Sequence, residues 1–346
     1  MSRTFQCDGQ LLSVLVFVLL VQSPGWAEPK ASTLQLALPV ECDRNTGCLI
    51  QNYFDHDSGP GFADHTCGSL GYNGHDGIDF RLKNLSVMHS GVAVRAAAPG
   101  RVRAIRDEMP DVSIREPGQL TAIAGREAGN SVAIRHAGGW ETQYSHLKRG
   151  SIRVAPGDDV EAGEVLGLVG LSGMTEFPHL HLSVRYEGEP VDPFVGVDQN
   201  FECGDETTPL WGPEARGYLS YRPTGIIQAG FAEKQPDLES VESGDDNRQV
   251  VDIRADAIVF WIEAYGIKQG DQQVMTIFDP KGRVLVRHSE KFLKNRAKWF
   301  GYVGKKRRQD HWPVGRYQGK YILYRFQGGS EKLLELSRVV EVKTAN

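Results

Sequence analysis

Short apolar stretches, separated by glycine, proline, asparagine and aspartate, recur between residues 41 and 200. This rhythm is typical of strands joined by turns. The stretches read GVAVRAAA, GRVRAIR, NSVAIRHA, WETQYSHL, SIRVA, EVLGLVG and LHLSVRY. They predict an all-β region. A polar segment punctuated by proline and glycine, residues 106–128, predicts an exposed insertion between two of these strands.

A second series of strands follows a change in composition. Residues 201–248 include the acidic stretch ESVESGDDNRQ, which is poor in apolar residues and predicts a linker. Beyond it, the apolar stretches of residues 249–346 predict a small accessory β-sandwich, in which DPKGR has the composition of a hairpin turn. The predicted organisation is a first domain over residues 28–200, this linker, and the sandwich.

The N-terminus has the pattern of an export signal. Arg3 precedes an almost wholly apolar run, residues 11–21, and the small residues Gly25 and Ala27 precede a cleavage point. The run is shorter than the roughly 20 residues that span a bilayer, although an uncleaved membrane anchor is an alternative. We therefore expect a signal peptide over residues 1–27, a periplasmic or secreted location, and no stable membrane span after cleavage.

Composition and cysteine usage agree with an exported globular protein. The chain has 346 residues, enough for two domains, and its net charge of −5 gives no reason to expect nucleic acid as a partner. After the leader it keeps Cys42, Cys48, Cys67 and Cys203. An even number of cysteines in an exported chain indicates disulfides. Of the three possible pairings, Cys42–Cys48 with Cys67–Cys203 is the one we favour.

Five side chains form the candidate chemistry of the first domain: His75, Asp79, His146, His179 and His181. In a straight strand His75 and Asp79 would lie roughly 13 Å apart, so they reach one ion only if the chain bends. Gly77 between them permits a bend. His179 and His181 are spaced i, i+2, which puts both imidazoles on one face of a strand.

Two histidines and an aspartate are the kind of ligand set that zinc accepts, with a fourth position left for water. The other two histidines would then serve acid–base chemistry, for which a pKa near neutral is useful. The remaining histidines of the mature chain are interpreted as structural or solvent-facing; they are His56, His65, His89, His136, His288 and His311. Asp76 is interpreted as a turn residue.

The motifs HDGID, YSHL and PHLHLSV occur in this order, and the region around them resembles the lysostaphin/LytM-type zinc metallopeptidases over residues 70–195. The resemblance implies a compact antiparallel fold with an open groove. It also implies one zinc ion per chain held by His75, Asp79 and His181, with His146 and His179 assisting the attacking water. The expected function is hydrolysis of peptide cross-links in bacterial peptidoglycan. The alternative is a non-catalytic regulator or activator of other wall hydrolases.

Two further patterns have a functional and an ordinary interpretation. The rhythm of IRVAPGDDVEAGEVLGLVG also resembles lipoyl or biotinyl carriers, but no lysine lies between Arg149 and Pro193 to be modified. In the sandwich, residues 281–325 are rich in basic side chains and contain the aromatic residues Trp299, Phe300, Tyr302, Trp312 and Tyr317. Such a surface could bind an anionic wall polymer. The alternative is a solvated face above an ordinary core.

Overall fold

The computed structural model describes Met1 and residues 34–41, 48–198, 200–326 and 330–344. Apart from Met1, these residues belong to one unit, Thr33–Asn346. The predicted signal peptide beyond Met1, and Cys42 with its predicted disulfide, lie outside the described residues. The other predicted disulfide is confirmed, since Cys67 and Cys203 are bonded. No helix of the described segments is long and apolar enough to cross a membrane.

The first half of the chain is built on an antiparallel sheet with the order β1-β2-β9-β6-β5-β4-β7, and β10 pairs with β9. A small separate sheet pairs β3 with β8. The strands are β1 (Leu49–Asn52), β2 (Ile78–Arg81), β3 (Ala93–Arg95), β4 (Gly100–Arg106), β5 (Asn130–Arg135), β6 (Trp140–Leu147), β7 (Asp159–Val160), β8 (Val165–Leu168), β9 (His179–Tyr186) and β10 (Glu189–Pro190). The all-β prediction is confirmed.

Alternation along β9 shows how the sheet separates core from functional face. Leu180, Leu182 and Val184 are fully buried in the hydrophobic core, whereas His181 is partly exposed and Arg185 reaches Asp76 on the opposite face. Successive side chains of a strand point to opposite faces, so the residues at odd positions share the open side. The hydrophobic core thus lies directly beneath the candidate chemistry.

Helices are short in the described residues. They are α1 (Leu85–Ser90), α2 (Gln119–Ala122), α3 (Pro213–Tyr218), α4 (Leu238–Ser243) and a 3₁₀ turn (Ala137–Gly139). α1 begins at Asn84, whose side-chain oxygen accepts a hydrogen bond from the Val87 amide. An asparagine cap of this kind satisfies an amide that the first helical turn leaves free.

The predicted insertion, residues 106–128, contains α2 and is largely exposed, but its first part is fastened to the sheet. Asp111 accepts hydrogen bonds from the amides of Arg149 and Leu171, and buried Met109 is held by Asn130. These bonds tie the insertion to the segment that leads into β9.

The second half is a pair of sheets that share one core. One sheet has the order β11-β13-β16, the other β12-β18-β17-β14-β15. The strands are β11 (Gly225–Ala232), β12 (Val250–Asp252), β13 (Ala257–Ile267), β14 (Gln272–Phe278), β15 (Val284–Lys291), β16 (Arg296–Lys306), β17 (Gly315–Phe326) and β18 (Ser330–Lys343). Phe231 and Phe260 from the first sheet pack with Met275 and Tyr321 from the second. We call this half the C-terminal sandwich.

The predicted linker, residues 201–248, contains more structure than its composition suggested. It holds α3, β11 and α4, and β11 pairs along its length with β13. The apolar run GIIQAGFA supplies this strand, and most of it is buried. The sandwich therefore includes residues before 249, and the predicted division of the chain otherwise stays a prediction.

The aromatic residues assigned to a polymer-binding surface are divided between core and surface. Trp312 and Tyr317 are buried, and Trp299 packs edge-on against Phe292, whereas Tyr302 is exposed. Fewer of these aromatic side chains are exposed than the sequence predicted, and polymer binding stays a prediction.

Candidate metal centre

His75, Asp79 and His181 converge on one point. His75 Nε2 lies 3.1 Å from Asp79 Oδ1, His181 Nδ1 lies 2.9 Å from the same oxygen, and the two imidazole nitrogens are 3.2 Å apart. His75 and Asp79 are buried, and His181 is partly exposed. Two nitrogens and one carboxylate oxygen gathered this closely form a ligand set for a single divalent cation.

Antiparallel pairing of two strands explains half of this convergence. Asp79 in β2 is the direct cross-strand partner of His181 in β9. Directly paired residues in an antiparallel sheet project their side chains on the same face, about 5 Å apart. His75 arrives from the loop before β2, which turns at Gly74, a residue with φ of 77°.

Gly77 serves this site for a different reason from the predicted one. Its φ is not in the left-handed region, so the chain does not need glycine there to turn. A Cβ at residue 77 would instead lie 2.6 Å from His181 Nε2 and 2.6 Å from the Leu182 carbonyl oxygen. Glycine is required because the His181 ring passes directly over the backbone.

A further layer of hydrogen bonds orients each ligand. His75 Nδ1 donates to the Tyr53 carbonyl at 2.7 Å, which leaves Nε2 to face the shared point. Asn52 donates to Asp79 Oδ2 at 2.7 Å, and His181 Nε2 lies 2.9 Å from the Ser183 hydroxyl. Such outer partners fix the tautomer and the angle of a metal-binding histidine. The residues therefore fit a metal ion in both donor type and orientation.

His146 and His179 lie beside the ligands. Their ring centroids are 4.6 Å apart, His146 lies 6.0 Å from the His181 ring, and His179 Nε2 lies 3.5 Å from Asp79 Oδ1. His146 Nδ1 donates to the Ser172 carbonyl and His179 Nδ1 to the Phe177 carbonyl. Both rings thus have one nitrogen fixed by the backbone, with Nε2 left for chemistry.

The backbone at His146 is strained. Its φ of 63° places a non-glycine residue in the left-handed region, near the end of β6. Conformations of this kind cost roughly 1–3 kcal/mol and are concentrated at functional sites. The strain is consistent with a ring that must be aimed at one place.

Burial and charge set the protonation of the site. Burial raises the pKa of Asp79, but its electrostatic interactions with the His179 and His75 imidazoles and its contacts with His181 and His75 outweigh burial and hold the pKa well below its usual range. Burial lowers the pKa of His181, yet hydrogen bonds to Asp76 and Asp79 raise it to about 9. Burial, followed by the neighbouring histidines, lowers the pKa of His146 well below normal. This direction favours the neutral ring of His146, and because Nδ1 donates to the Ser172 carbonyl, Nε2 carries the lone pair.

The structure brings all five predicted side chains to one place, but the sequence did not identify their supports. Asn52 and the Tyr53 carbonyl come from β1 and the residue after it, with no spacing relation to the motifs. Asp76, interpreted as a turn residue, lies 3.4 Å from His181 Nε2 and 3.4 Å from Arg185. Ser183 could have been found, because it continues the i, i+2 series of His179 and His181.

Comparisons with known proteins agree with this geometry. Residues 73–193 match the model of a protein family described as Peptidase family M23. DD-carboxypeptidase/endopeptidase Mpg of Neisseria meningitidis is 40% identical over 121 residues, which cover 34% of this chain and 22% of that protein. Peptidoglycan DD-endopeptidase ShyA of Vibrio cholerae is 40% identical over 65 residues, covering 19% of this chain and 15% of that protein.

A third relative is named for cell division and not for a peptidase activity. Cell division protein DipM of Caulobacter vibrioides is 38% identical over 81 residues, which cover 21% of this chain and 13% of that protein. The chain spans about a fifth or less of the length of these relatives. The segment that matches the family model, residues 73–193, contains all five predicted site residues. The resemblance to lysostaphin/LytM-type peptidases is thereby confirmed over residues 73–193, which match the Peptidase family M23 model.

Proposed function

We propose that the protein is an exported, zinc-dependent endopeptidase that hydrolyses peptide cross-links of bacterial peptidoglycan. The observation that carries the proposal is the meeting of His75, Asp79 and His181 at one point, with His146 and His179 beside it. Zinc suits two imidazole nitrogens and one carboxylate, which leave a coordination position open. When bound, zinc would supply an acidified water and polarisation of the scissile carbonyl.

The two remaining histidines have separable tasks. His146, kept neutral by burial and by its neighbours, accepts a proton at Nε2. His179, whose Nδ1 donates to the Phe177 carbonyl, donates a hydrogen bond from Nε2 only when its ring is protonated, and in that form it stabilises charge that develops on the substrate. Because their rings lie 4.6 Å apart, both can act on one peptide bond.

The substrate class and the location come from the relatives and from the covalent structure. Two of the relatives named above are endopeptidases, and ShyA is named for peptidoglycan. Action on this polymer requires a location outside the cytoplasm, which agrees with the N-terminal pattern and with the Cys67–Cys203 disulfide. Binding of an anionic wall polymer by the C-terminal sandwich is a separate proposal.

Purified protein should release peptides from peptidoglycan, identified by mass spectrometry, and a chelator should stop the release until zinc is restored. His75→Ala should abolish both bound zinc and release, whereas His288→Ala, at an exposed position of β15, should change neither. A protein that binds zinc stoichiometrically but releases nothing would favour the regulator or activator. Full activity in His75→Ala would contradict the metal assignment.

A further inference from the structure

A carboxylate is fully buried in the most apolar strand of the C-terminal sandwich. Glu263 is 0% exposed and is the charged residue of β13, whose sequence is AIVFWIEAYGI. Burying an unpaired carboxylate is costly, so its partners matter. Lys298 Nζ lies 2.7 Å from Oε1, and Gln228 donates to Oε2 at 2.9 Å.

The third partner of Glu263 comes from the peptidase domain. Arg81, which is 1% exposed, lies in β2 and reaches Glu263 with Nη2 at 3.4 Å. Its other terminal nitrogen donates to the Gln51 side chain. Arg81 is two residues beyond Asp79 and is the cross-strand partner of His179. A charge pair between the two halves of the chain therefore lies beside the metal centre, on the same face of the sheet.

The guanidinium of Arg81 also supports the turn that holds His179. Its Cζ lies 4.4 Å from the centre of the Phe177 ring, and that ring lies 4.8 Å from the His179 ring. The Phe177 carbonyl accepts the hydrogen bonds of His179 Nδ1 and of the Thr175 hydroxyl. Phe177 is thus placed between Arg81 and His179 and fixes the angle of the imidazole.

A second path reaches the same turn along the surface. Lys298 also pairs with Glu242, Glu242 pairs with Arg115 at 2.6 Å, and Arg115 pairs with Glu176 at 2.9 Å. Glu176 immediately precedes Phe177. Two series of charged groups therefore lead from Lys298 and Glu263 of the sandwich to residues 175–177.

We propose that Glu263 and Arg81 are positioning residues for His179, and that the C-terminal sandwich completes the peptidase site rather than serving only as an attached module. The inference rests on the proposed function for its kinetic consequence, but its structural content does not. Glu263 fixes Arg81, Arg81 fixes Phe177, and Phe177 fixes His179. Disturbing this series moves His179 while leaving the three metal ligands in place.

The test compares the full-length chain with three variants. Arg81→Lys keeps the charge opposite Glu263 but removes the planar group over Phe177; Phe177→Leu, at a half-buried position, removes the ring; Glu263→Gln removes the charge. Histidine-selective ¹⁵N NMR reports the His179 ring, assigned with His179→Gln. In each variant we expect shifted His179 resonances, full zinc content, an unchanged KM and a kcat lowered about tenfold.

Glu335→Gln is the matched control, because Glu335 forms its ion pairs with Lys320 and Lys332 on exposed strands of the sandwich. It should leave the His179 resonances and kcat unchanged. If Glu263→Gln does not fold, Arg81→Lys and Phe177→Leu decide, since both keep the buried carboxylate paired. Unshifted His179 resonances in folded Arg81→Lys and Phe177→Leu would overturn the inference, even if their melting temperatures fell. Should the wild type release no peptides, the proposed function fails, while the His179 resonances still test the positioning.

Discussion

The metal centre and the Glu263 cluster are both buried groups of charged side chains, and they solve the problem of charge in opposite ways. Around Asp79, one imidazole nitrogen each from His75 and His181 lies against Oδ1, and the Asn52 amide holds Oδ2, so that three ligand atoms face one point. Around Glu263 the chain supplies its own cations, Lys298 and Arg81. The ligands of the metal centre are arranged to bind a cation from solution, whereas the charge of Glu263 is already balanced by side chains of the protein.

This difference teaches that burial alone does not identify a binding site. Glu263 is at least as buried as Asp79, yet its hydrogen-bonding capacity is used within the protein. What distinguishes the metal centre is that its three ligand atoms lie within 3.2 Å of one another, whereas Glu263 Oε1 lies 2.7 Å from the ammonium group of Lys298. Variants that alter each cluster should therefore respond differently to metal and to denaturant.

Metal removal should have the largest effect of the four tests, because it lowers stability and stops peptide release together. With zinc at about a thousandfold over its dissociation constant, binding stabilises the folded state by about 4 kcal/mol, so a chelator should lower the free energy of unfolding by that amount. Urea titration with and without chelator measures it, and peptide release should stop at the same time. In Glu263→Gln the chelator should cause the same loss, because its partners are not ligands. An unfolding curve indifferent to chelator would contradict the metal centre.

Loss of charge in the second cluster should be the next largest effect. Glu263→Gln leaves Arg81 and Lys298 buried or half-buried without their carboxylate, and breaking such a pair costs about 3–5 kcal/mol. The double variant Glu263→Met/Lys298→Met should recover part of this loss, since it removes both charges of one pair. Urea denaturation gives both values. Equal destabilisation by Glu335→Gln, an exposed pair, would show that burial is not the cause.

Adding one methyl group at the metal centre should lower zinc affinity, whereas adding one in the insertion should not. Gly77→Ala places a Cβ 2.6 Å from His181 Nε2, so His181 must move and zinc affinity should fall at least about tenfold. Gly118→Ala is the control, because Gly118 has φ of 82° with open space around it in the insertion. It should cost stability but leave zinc affinity unchanged. Competition with a zinc indicator measures both, and equal affinities would refute the close-packing explanation.

The smallest effect concerns a third buried carboxylate, Asp64, which is held by neutral hydrogen-bond donors of the described residues. Burial raises the pKa of Asp64, but hydrogen bonds from Thr66, Tyr221 and the Gly68 amide outweigh it and lower the pKa. A lowered pKa contributes stability above the unfolded-state value, which is lost as pH falls below about 4. Asp64→Asn should therefore be less stable than wild type at pH 7, and the difference should shrink on acidification. A difference that grows at low pH would show the wrong sign.

The sequence predicted which side chains meet at the site because its signals are local. The spacing of His179 and His181 and the paired His75 and Asp79 are readable within short stretches, and strand pairing then brings them together. The all-β pattern was equally local. Each of these features depends on residues close to one another in the chain.

What the sequence did not predict depends on contacts between distant residues. Arg81 and Glu263 are separated by 182 positions, and neither has a neighbour that indicates the other. Gly77 was assigned a bend because a glycine between two ligands suggests flexibility, whereas its role is set by a ring from β9. The strand β11 was hidden because acidic residues surround its apolar run and dominate the composition of the segment.

The pairing of Arg81 with Glu263 has a practical consequence for anyone who wishes to transplant the peptidase segment. A fragment cut after residue 200 would carry a guanidinium whose counter-charge stays behind in the discarded half. Grafting onto a new host would then require either an acidic group at the seam or an apolar replacement for Arg81. Modular appearance along the chain does not guarantee that the pieces can be exchanged.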